Sequence, residues 1–355
     1  MKISPITKSL SMALLATAAA VTIPNATACT RITYVGSDQG VITGRSWDWP
    51  NDGHANLWAY PAGMSRSGNG DDENSARWIS KYGSVTTSAF DLGTADGINT
   101  AGVSVNVLYL GGSDYGKPEP ARKNLNLFSW AQFILDNYAT VKDAVDDFAA
   151  GKFNVLAVPE TDGQKMHLHM SIADASGDNA VFEYIGGKLV IHHGKQFKVM
   201  TNEPSYDQQL ALNAYWRMQD GKFLPGTEDP ADRFVRASYY LDNAEKPSDY
   251  QKKIATVFSI IRNASVPFTA TTPDRPNCAP TQWRSAGDLA NKIYYFEEAN
   301  RPNVFWVDLN KLDLKKGTSA KKLALADGEI YSGDASGNFV TATPFALGSV
   351  KIPSN

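Results

Sequence analysis

The stretch ATACTRITYVGSDQGVITGRSWDW, residues 26–49, decides the fold. Residues 30–35 alternate and are rich in β-branched side chains, which is typical of a strand. The next five residues begin and end with glycine and predict a turn, after which a second strand runs on toward Trp49. We therefore predict an antiparallel hairpin that returns Arg45 and Asp48 to the side of Cys29.

The residues before Cys29 predict a secretory signal peptide over residues 1–28. It has two lysines near its start, an apolar run of about a dozen residues, and an A-x-A cleavage signal at residues 26–28. The apolar run is too short to cross a bilayer, which needs about 20 residues. We expect a periplasmic product, without stable membrane insertion, whose first residue is Cys29.

Composition excludes several classes of protein. The chain has 355 residues, 43% of them hydrophobic, and its 15 Phe, 15 Tyr and 8 Trp are too many for a disordered chain. A formal charge of -3 gives no basic field, so we expect neither nucleic acid nor an anionic membrane as a partner. No linker stands out after the signal peptide, and residues 29–355 are predicted to form one domain.

A cysteine at the start of a chain can supply a nucleophile and a base together. A free thiol has a pKa of about 8.5 and is mostly protonated at neutral pH, whereas an α-amine titrates near pH 8 and can accept the thiol proton. Arg45 could stabilise the thiolate, and Asp48 could orient the ammonium form of the amine. The sequence therefore predicts hydrolysis by an N-terminal nucleophile.

Two other interpretations of Cys29 stay open. The cysteine could be lipidated and anchor an exported lipoprotein or binding module, although Ala26 stands where such signals normally carry Leu. It could also pair with Cys278 in an oxidising compartment, which would silence the thiol. Intact mass separates the three cases as a free cysteine, a gain of acyl chains, or a loss of two hydrogens.

The rest of the chain alternates between strand and helix patterns. Helices are predicted over residues 127–138 and 140–150 and along a face from Tyr250 to Ile261. Strands are predicted at residues 167–172, 180–185, 188–193, 292–296 and 303–309. These patterns indicate an α+β fold with layers of both kinds.

The histidines do not form a metal-binding pattern. His167 and His169 share one face of a predicted strand, but no cysteine or carboxylate cluster accompanies them at ligand spacing. We predict a solvated strand face there and no metal.

Seven segments, taken in order, resemble the choloylglycine hydrolase family of N-terminal nucleophile hydrolases, and in particular its exported penicillin V acylases from Gram-negative bacteria. They are CTRITY at Cys29, GRSWDW at Gly44, SKYGSV at Ser80, DGINTAGVSVNVLYL at Asp96, VMTNEPSYDQQL at Val199, ADRFVRAS at Ala231 and FSIIRNASVP at Phe258. The resemblance implies a four-layer αββα sandwich, a homotetramer, and a reaction without a cofactor.

The resemblance also implies roles for individual residues. Cys29 would be nucleophile and base, with Arg45 and Asp48 beside it. Asn202 would donate a side-chain hydrogen bond to the oxyanion, and Arg233 would be a second cation near the nucleophile.

The resemblance further places an aromatic residue at the acyl pocket. The backbone N–H of Tyr109 would complete the oxyanion hole, and its ring would wall the pocket opposite Trp49. Bile salt hydrolases carry Asn at this position, so Tyr109 favours aromatic or fatty acyl groups. The implied substrate is a small-molecule linear amide, namely penicillin V, an N-acyl-homoserine lactone or both, with a conjugated bile salt as the alternative.

Overall fold

The computed structural model describes residues 28–158, 166–219, 221–269 and 279–347. The predicted signal peptide, except for Ala28, lies outside the described residues, and so does Cys278. Among the helices of the described ranges, none has both the length and the apolar character needed to span a membrane.

Twenty strands lie in the described residues. They are β1 (Cys29–Val35), β2 (Val41–Asp48), β3 (Asn56–Tyr60), β4 (Ser65–Ser67), β5 (Arg77–Ile79), β6 (Ser84–Ala89), β7 (Gly93–Asn99), β8 (Val103–Tyr109), β9 (Lys123–Asn126), β10 (Phe153–Leu156), β11 (Leu168–Asp174), β12 (Asn179–Ile185), β13 (Lys188–His193), β14 (Val199–Met200), β15 (Thr281–Asp288), β16 (Ile293–Glu298), β17 (Arg301–Asp308), β18 (Lys321–Ala324), β19 (Gly333–Asp334) and β20 (Val340–Thr341).

The same ranges contain five α-helices and two short 3₁₀ helices. The α-helices are α1 (Leu127–Asn137), α2 (Val141–Ala149), α3 (Tyr206–Arg217), α4 (Pro230–Asp242) and α5 (Tyr250–Ala264). The 3₁₀ helices are Leu309–Lys311 and Ser336–Asn338.

Two large sheets form the middle of the molecule. One has seven strands in the order β14-β1-β2-β15-β16-β17-β19, and the other has nine in the order β13-β12-β11-β8-β7-β6-β3-β18-β20. Helices α4 and α5 pack on the seven-stranded sheet, and α1 and α2 pack on the nine-stranded sheet. The result is the four-layer αββα sandwich, and the prediction of this α+β fold is confirmed.

Each sheet has its own packing against helices. One buried cluster joins α1 and α2 to the nine-stranded sheet through side chains such as Trp130, Ile134 and Ile172. The larger cluster joins α4 and α5 to the seven-stranded sheet and continues between the two sheets. In β2, a Cβ on Gly44 would approach Val257 of α5 to 2.7 Å, so glycine lets this helix lie close to the strand.

The predicted hairpin is present in the interior of the seven-stranded sheet. Strands β1 and β2 pair antiparallel, with Cys29 opposite Trp47 and Val35 opposite Val41. The helices and strands predicted elsewhere are also found, with ends that differ by at most three residues. The chain therefore enters β1 at Cys29 with paired strands on both sides of β1.

The prediction of a solvated histidine face is wrong for His169. This side chain is fully buried between the two sheets, where its Nδ1 lies 3.0 Å from Oε1 of Glu183. The physical reason is that β11 is an interior strand with helices on one face and the second sheet on the other, so neither face meets solvent. Among the described residues, no group of three His, Cys, Asp or Glu side chains could hold a metal ion.

Candidate active site

The Cys29 sulfur is buried at the start of β1. The residue is 2% exposed, and its thiol is free. Its Sγ lies 3.6 Å from Nη2 of Arg45 and 3.9 Å from the carbonyl oxygen of Asp48. Burial raises the pKa of the Cys29 thiol, and the Arg45 guanidinium opposes this rise only in part. A raised pKa favours the protonated thiol, and a protonated thiol needs a base before its sulfur can attack.

The backbone nitrogen of Cys29 binds a side chain from the loop that follows β14. This nitrogen donates to Oδ1 of Asn202 over 2.5 Å. With Ala28 attached, this nitrogen is a backbone amide. Nδ2 of Asn202 donates to the carbonyl oxygen of Tyr109 over 2.8 Å, so one amide side chain joins the Cys29 nitrogen to β8.

Arg45 is fixed from three directions inside the sandwich. Its Nη1 lies 3.1 Å from a carboxylate oxygen of Asp96 and 3.1 Å from the carbonyl oxygen of Ala95. Its Nη2 donates to the carbonyl oxygen of Val107 over 3.0 Å. Both members of the Arg45–Asp96 ion pair are fully buried. The guanidinium beside the sulfur is therefore held in place without help from substrate.

Asp48 lies beside the site but bonds to hydroxyl groups. Its carboxylate accepts hydrogen bonds from Thr281 over 2.5 Å and from Ser46 over 3.2 Å. The Cys29 nitrogen donates to Asn202 instead, so the predicted contact between Asp48 and this nitrogen is not made while Ala28 is attached. Burial raises the pKa of Asp48 from 3.8 to about 6, against the opposing effects of Arg233 and the two hydroxyls.

Arg233 projects from α4 onto the first residues of β1. Its Nη1 donates to the carbonyl oxygen of Cys29 over 2.6 Å and to Oγ1 of Thr30 over 2.7 Å. Its Nη2 donates to Oδ1 of Asn202 over 3.0 Å. The guanidinium thus binds the main chain of the nucleophile and the amide that holds its nitrogen, and it lies 4.0 Å from Asp48.

The Asn202 segment is anchored by Gln209, which is 1% exposed in α3. Nε2 of Gln209 donates to the carbonyl oxygens of Asn202 over 2.6 Å and of Pro204 over 2.8 Å. Oε1 of Gln209 accepts from the Thr201 hydroxyl over 2.9 Å. These bonds fix the backbone on both sides of Asn202.

An apolar pocket opens beside the Cys29 sulfur. It measures about 90 Å³, and its lining includes the aromatic residues Trp47, Trp49, Phe90, Tyr109 and Phe128. The rings of Trp49 and Tyr109 meet edge to face with centroids 6.5 Å apart. The pocket is therefore narrow and walled by rings.

A stack of three indoles supports one wall of this pocket. Trp47 stacks on Trp49 with centroids 5.6 Å apart, and on Trp283 with centroids 4.0 Å apart and planes within 8°. Trp47 and Trp49 come from the predicted hairpin, and Trp283 comes from β15, which pairs with β2.

The structure therefore brings Cys29, Arg45, Asp48, Asn202, Arg233, Tyr109 and Trp49 into one site. The sequence analysis missed Asp96, Thr281 and Gln209. Asp96 and Gln209 lie inside two of the quoted segments, but nothing in their spacing showed which side chains they would contact. Thr281 follows Cys278 closely and carried no signal of its own.

This arrangement suits attack by sulfur on a carbonyl carbon. A thiol, a nitrogen of the same residue, two buried guanidinium groups and an amide side chain converge at one end of an apolar pocket. Such a site can hold an apolar acyl group while hydrogen-bond donors stabilise charge on its carbonyl oxygen.

Comparison with known proteins identifies a family and similar relatives. The family model for linear amide C–N hydrolases of the choloylglycine hydrolase family matches residues 29–325. A penicillin V acylase from Pectobacterium atrosepticum is 48% identical over 345 residues, which cover 90% of this chain and 91% of that protein.

Solved structures give the same result. A penicillin V acylase from Agrobacterium tumefaciens superposes with a TM-score of 0.83 at 48% identity, covering 90% of this chain and 99% of that one. A mutant of the conjugated bile acid hydrolase from Clostridium perfringens superposes with a TM-score of 0.70 at 21% identity, covering 86% of this chain and 98% of that one. At that identity the second likeness concerns the fold alone.

Proposed function

The chain belongs to the choloylglycine hydrolase family of linear amide C–N hydrolases, and from this premise we propose that Cys29, exposed by cleavage after Ala28, is its N-terminal nucleophile. As a linear amide hydrolase of the penicillin V acylase type, the protein is an enzyme. The observation that carries the proposal is that the sulfur and nitrogen of one residue are held separately, by Arg45 and by Asn202.

The first half of the reaction forms a thioester. The α-amine of Cys29 takes the thiol proton, and the sulfur bonds to the amide carbon. Negative charge then develops on the carbonyl oxygen. The second hydrogen on Nδ2 of Asn202 and the backbone N–H of Tyr109 are the proposed donors to that oxygen. When the carbon–nitrogen bond breaks, the ammonium gives its proton to the leaving amine.

The second half releases the acid. Water attacks the thioester carbon while the same amine takes the water proton, and the sulfur leaves and is protonated again. An ammonium at this position adds a positive charge beside Asp48 and lowers the pKa of that carboxyl, so the carboxylate is ionised at neutral pH and can orient it. The two groups of Cys29 titrate as a coupled pair.

The aromatic lining of the pocket supports the proposal that the substrate carries a slim acyl group. Rings of Trp49 and Tyr109 suit a phenoxyacetyl group or an alkyl chain, which correspond to penicillin V and an N-acyl-homoserine lactone. Because Tyr109 stands where bile salt hydrolases carry Asn, bile salt hydrolysis is the second candidate. Rates on penicillin V, a long-chain homoserine lactone and glycocholate rank the three.

Replacement of the sulfur tests the mechanism. Cys29→Ser, purified with its N-terminus confirmed by Edman degradation, should lose nearly all turnover of penicillin V because a hydroxyl is a much weaker nucleophile. If the correctly processed variant keeps the wild-type rate, the proposed mechanism is wrong. A product that begins elsewhere, or a blocked nitrogen, also contradicts it, and the intact mass separates lipidation and a disulfide to Cys278.

Location and assembly are part of the same proposal. Cleavage after Ala28 during export would place the enzyme in the periplasm, and the family resemblance implies a homotetramer. Cell fractionation and light scattering of the mature protein measure both.

A further inference from the structure

The residue before Cys29 belongs to a small apolar cluster. Ala28 is 7% exposed and packs with Val266 and Ala279 in an apolar cluster separate from the main core. We call these three residues the Ala28 cluster. The residues between Val266 and Ala279 are described only as far as residue 269.

The Ala28 cluster is tied to the candidate active site. The backbone nitrogen of Val266 donates to Oγ1 of Thr281 over 2.9 Å, and the backbone nitrogen of Thr281 donates to the carbonyl oxygen of Val266 over 3.0 Å. The Thr281 hydroxyl in turn donates to Asp48. The cluster and the Asp48 carboxylate are therefore held together by one threonine.

The geometry of the Cys29 nitrogen after cleavage indicates which group would occupy the position of Ala28. After cleavage the nitrogen is tetrahedral, with one position taken by its own Cα and one N–H directed at Asn202. The two remaining positions point to the side from which the bond to Ala28 came. A proton that leaves this nitrogen for a substrate must therefore travel into the space that Ala28 had filled.

Distances lead to the same conclusion. The Ala28 Cα lies two bonds from the Cys29 nitrogen, about 2.4 Å away from ordinary backbone dimensions. A leaving nitrogen that accepts the proton must come within about 2.6–3.2 Å. The leaving amine and its first carbon would thus replace the atoms of Ala28.

We propose that Val266 and Ala279 form the binding subsite for the leaving amine, and that this subsite takes an amine whose nitrogen is attached to a branched ring carbon. The inference rests on the proposed function. A compartment that accepts the branched Cα and methyl group of alanine matches the branched ring carbon of 6-aminopenicillanate or of homoserine lactone. Glycine and taurine, whose nitrogen is attached to an unbranched CH₂ group, fill such a space less well.

The test compares two amides that share one acyl group. Penicillin V releases a ring amine, whereas phenoxyacetamide releases ammonia, so only the first needs the subsite. In Ala279→Leu the added carbons should lower kcat/KM for penicillin V by about tenfold or more. The rate on phenoxyacetamide should change by less than about threefold. Ala335→Leu is the control because Ala335 is also 2% exposed but lies beside β19, at the sheet edge far from β1.

A second variant covers the case in which Ala279→Leu does not fold. Val266→Ala enlarges the subsite and should raise the rate on phenoxyacetyl amides of bulkier ring amines relative to phenoxyacetamide. If either folded variant changes the rates on both amides in parallel, the subsite is wrong although the enzyme is an acylase. If the wild-type enzyme hydrolyses neither amide, the proposed function itself fails, and the subsite proposal fails with it.

Discussion

Replacement of Gln209 by methionine should slow catalysis without weakening substrate binding. Methionine keeps the length of the side chain but removes both donors to the carbonyl oxygens of Asn202 and Pro204. Asn202 is the proposed side-chain donor to the oxyanion, so a shift of its backbone weakens an interaction made only in the transition state. Such a change lowers kcat and kcat/KM equally and leaves KM unchanged.

The size of the effect follows from the bonds that are lost. Deleting an oxyanion donor costs about 10²–10³ in kcat, and a displaced donor keeps part of its effect, so we expect a loss between tenfold and a hundredfold. Two buried carbonyl oxygens lose a donor at about 1–3 kcal/mol each, which gives a loss of about 2–6 kcal/mol in the free energy of unfolding. The kcat and the unfolding free energy of Gln209→Glu should lie between those of the wild type and Gln209→Met, because a protonated carboxyl restores one donor.

Steady-state kinetics on penicillin V and urea denaturation measure the two effects separately. Asn154→Leu is a matched control, since Asn154 is a buried amide that donates to the carbonyl oxygens of Glu119 and Arg122, in a small outer sheet. It should lose similar stability and keep its kcat. If Gln209→Met is destabilised to the same degree and also keeps its kcat, the positioning role assigned to Gln209 is refuted.

Two further substitutions test the polar network around the sulfur. Asp96→Asn leaves Arg45 charged and buried without its partner, which should cost about 3–5 kcal/mol in unfolding free energy and most of the activity. The control is Asp136→Asn, which breaks the buried ion pair with Arg66. This control should lose stability in urea but keep its kcat. The Thr281 hydroxyl lowers the pKa of Asp48, so Thr281→Val should raise that pKa and move the acid limb of kcat/KM to higher pH, whereas Thr281→Ser should not. An unmoved limb in the valine variant would contradict the role of Asp48.

The hairpin and most helices could be predicted because their signals are local. Strands β1 and β2 are joined by five residues, so their register depends on that turn and on the alternation of their side chains. Helix α5 carries an apolar face at helical spacing, and its buried residues Ile254, Val257 and Ile261 follow that face. The contact of Arg45 with Cys29 follows from the same short hairpin.

The residues that were missed depend on strands far apart in the sequence. Thr281 reaches Asp48 because β15 pairs with β2 across more than two hundred residues, and no local pattern encodes that pairing. Asp96 meets Arg45 across the gap between the two sheets. His169 was misjudged because alternation alone does not tell a face in solvent from a face covered by a second sheet.

The three stacked indoles have a consequence for how the reaction can be watched. Rings as close as those of Trp47 and Trp283 share their electronic excitation, so they should dominate the near-ultraviolet circular dichroism of the protein. An acyl group on the sulfur would lie against the same rings, and their emission should change as the thioester forms and return as it is cleaved. Stopped-flow fluorescence could then time both half-reactions on unlabelled natural amides.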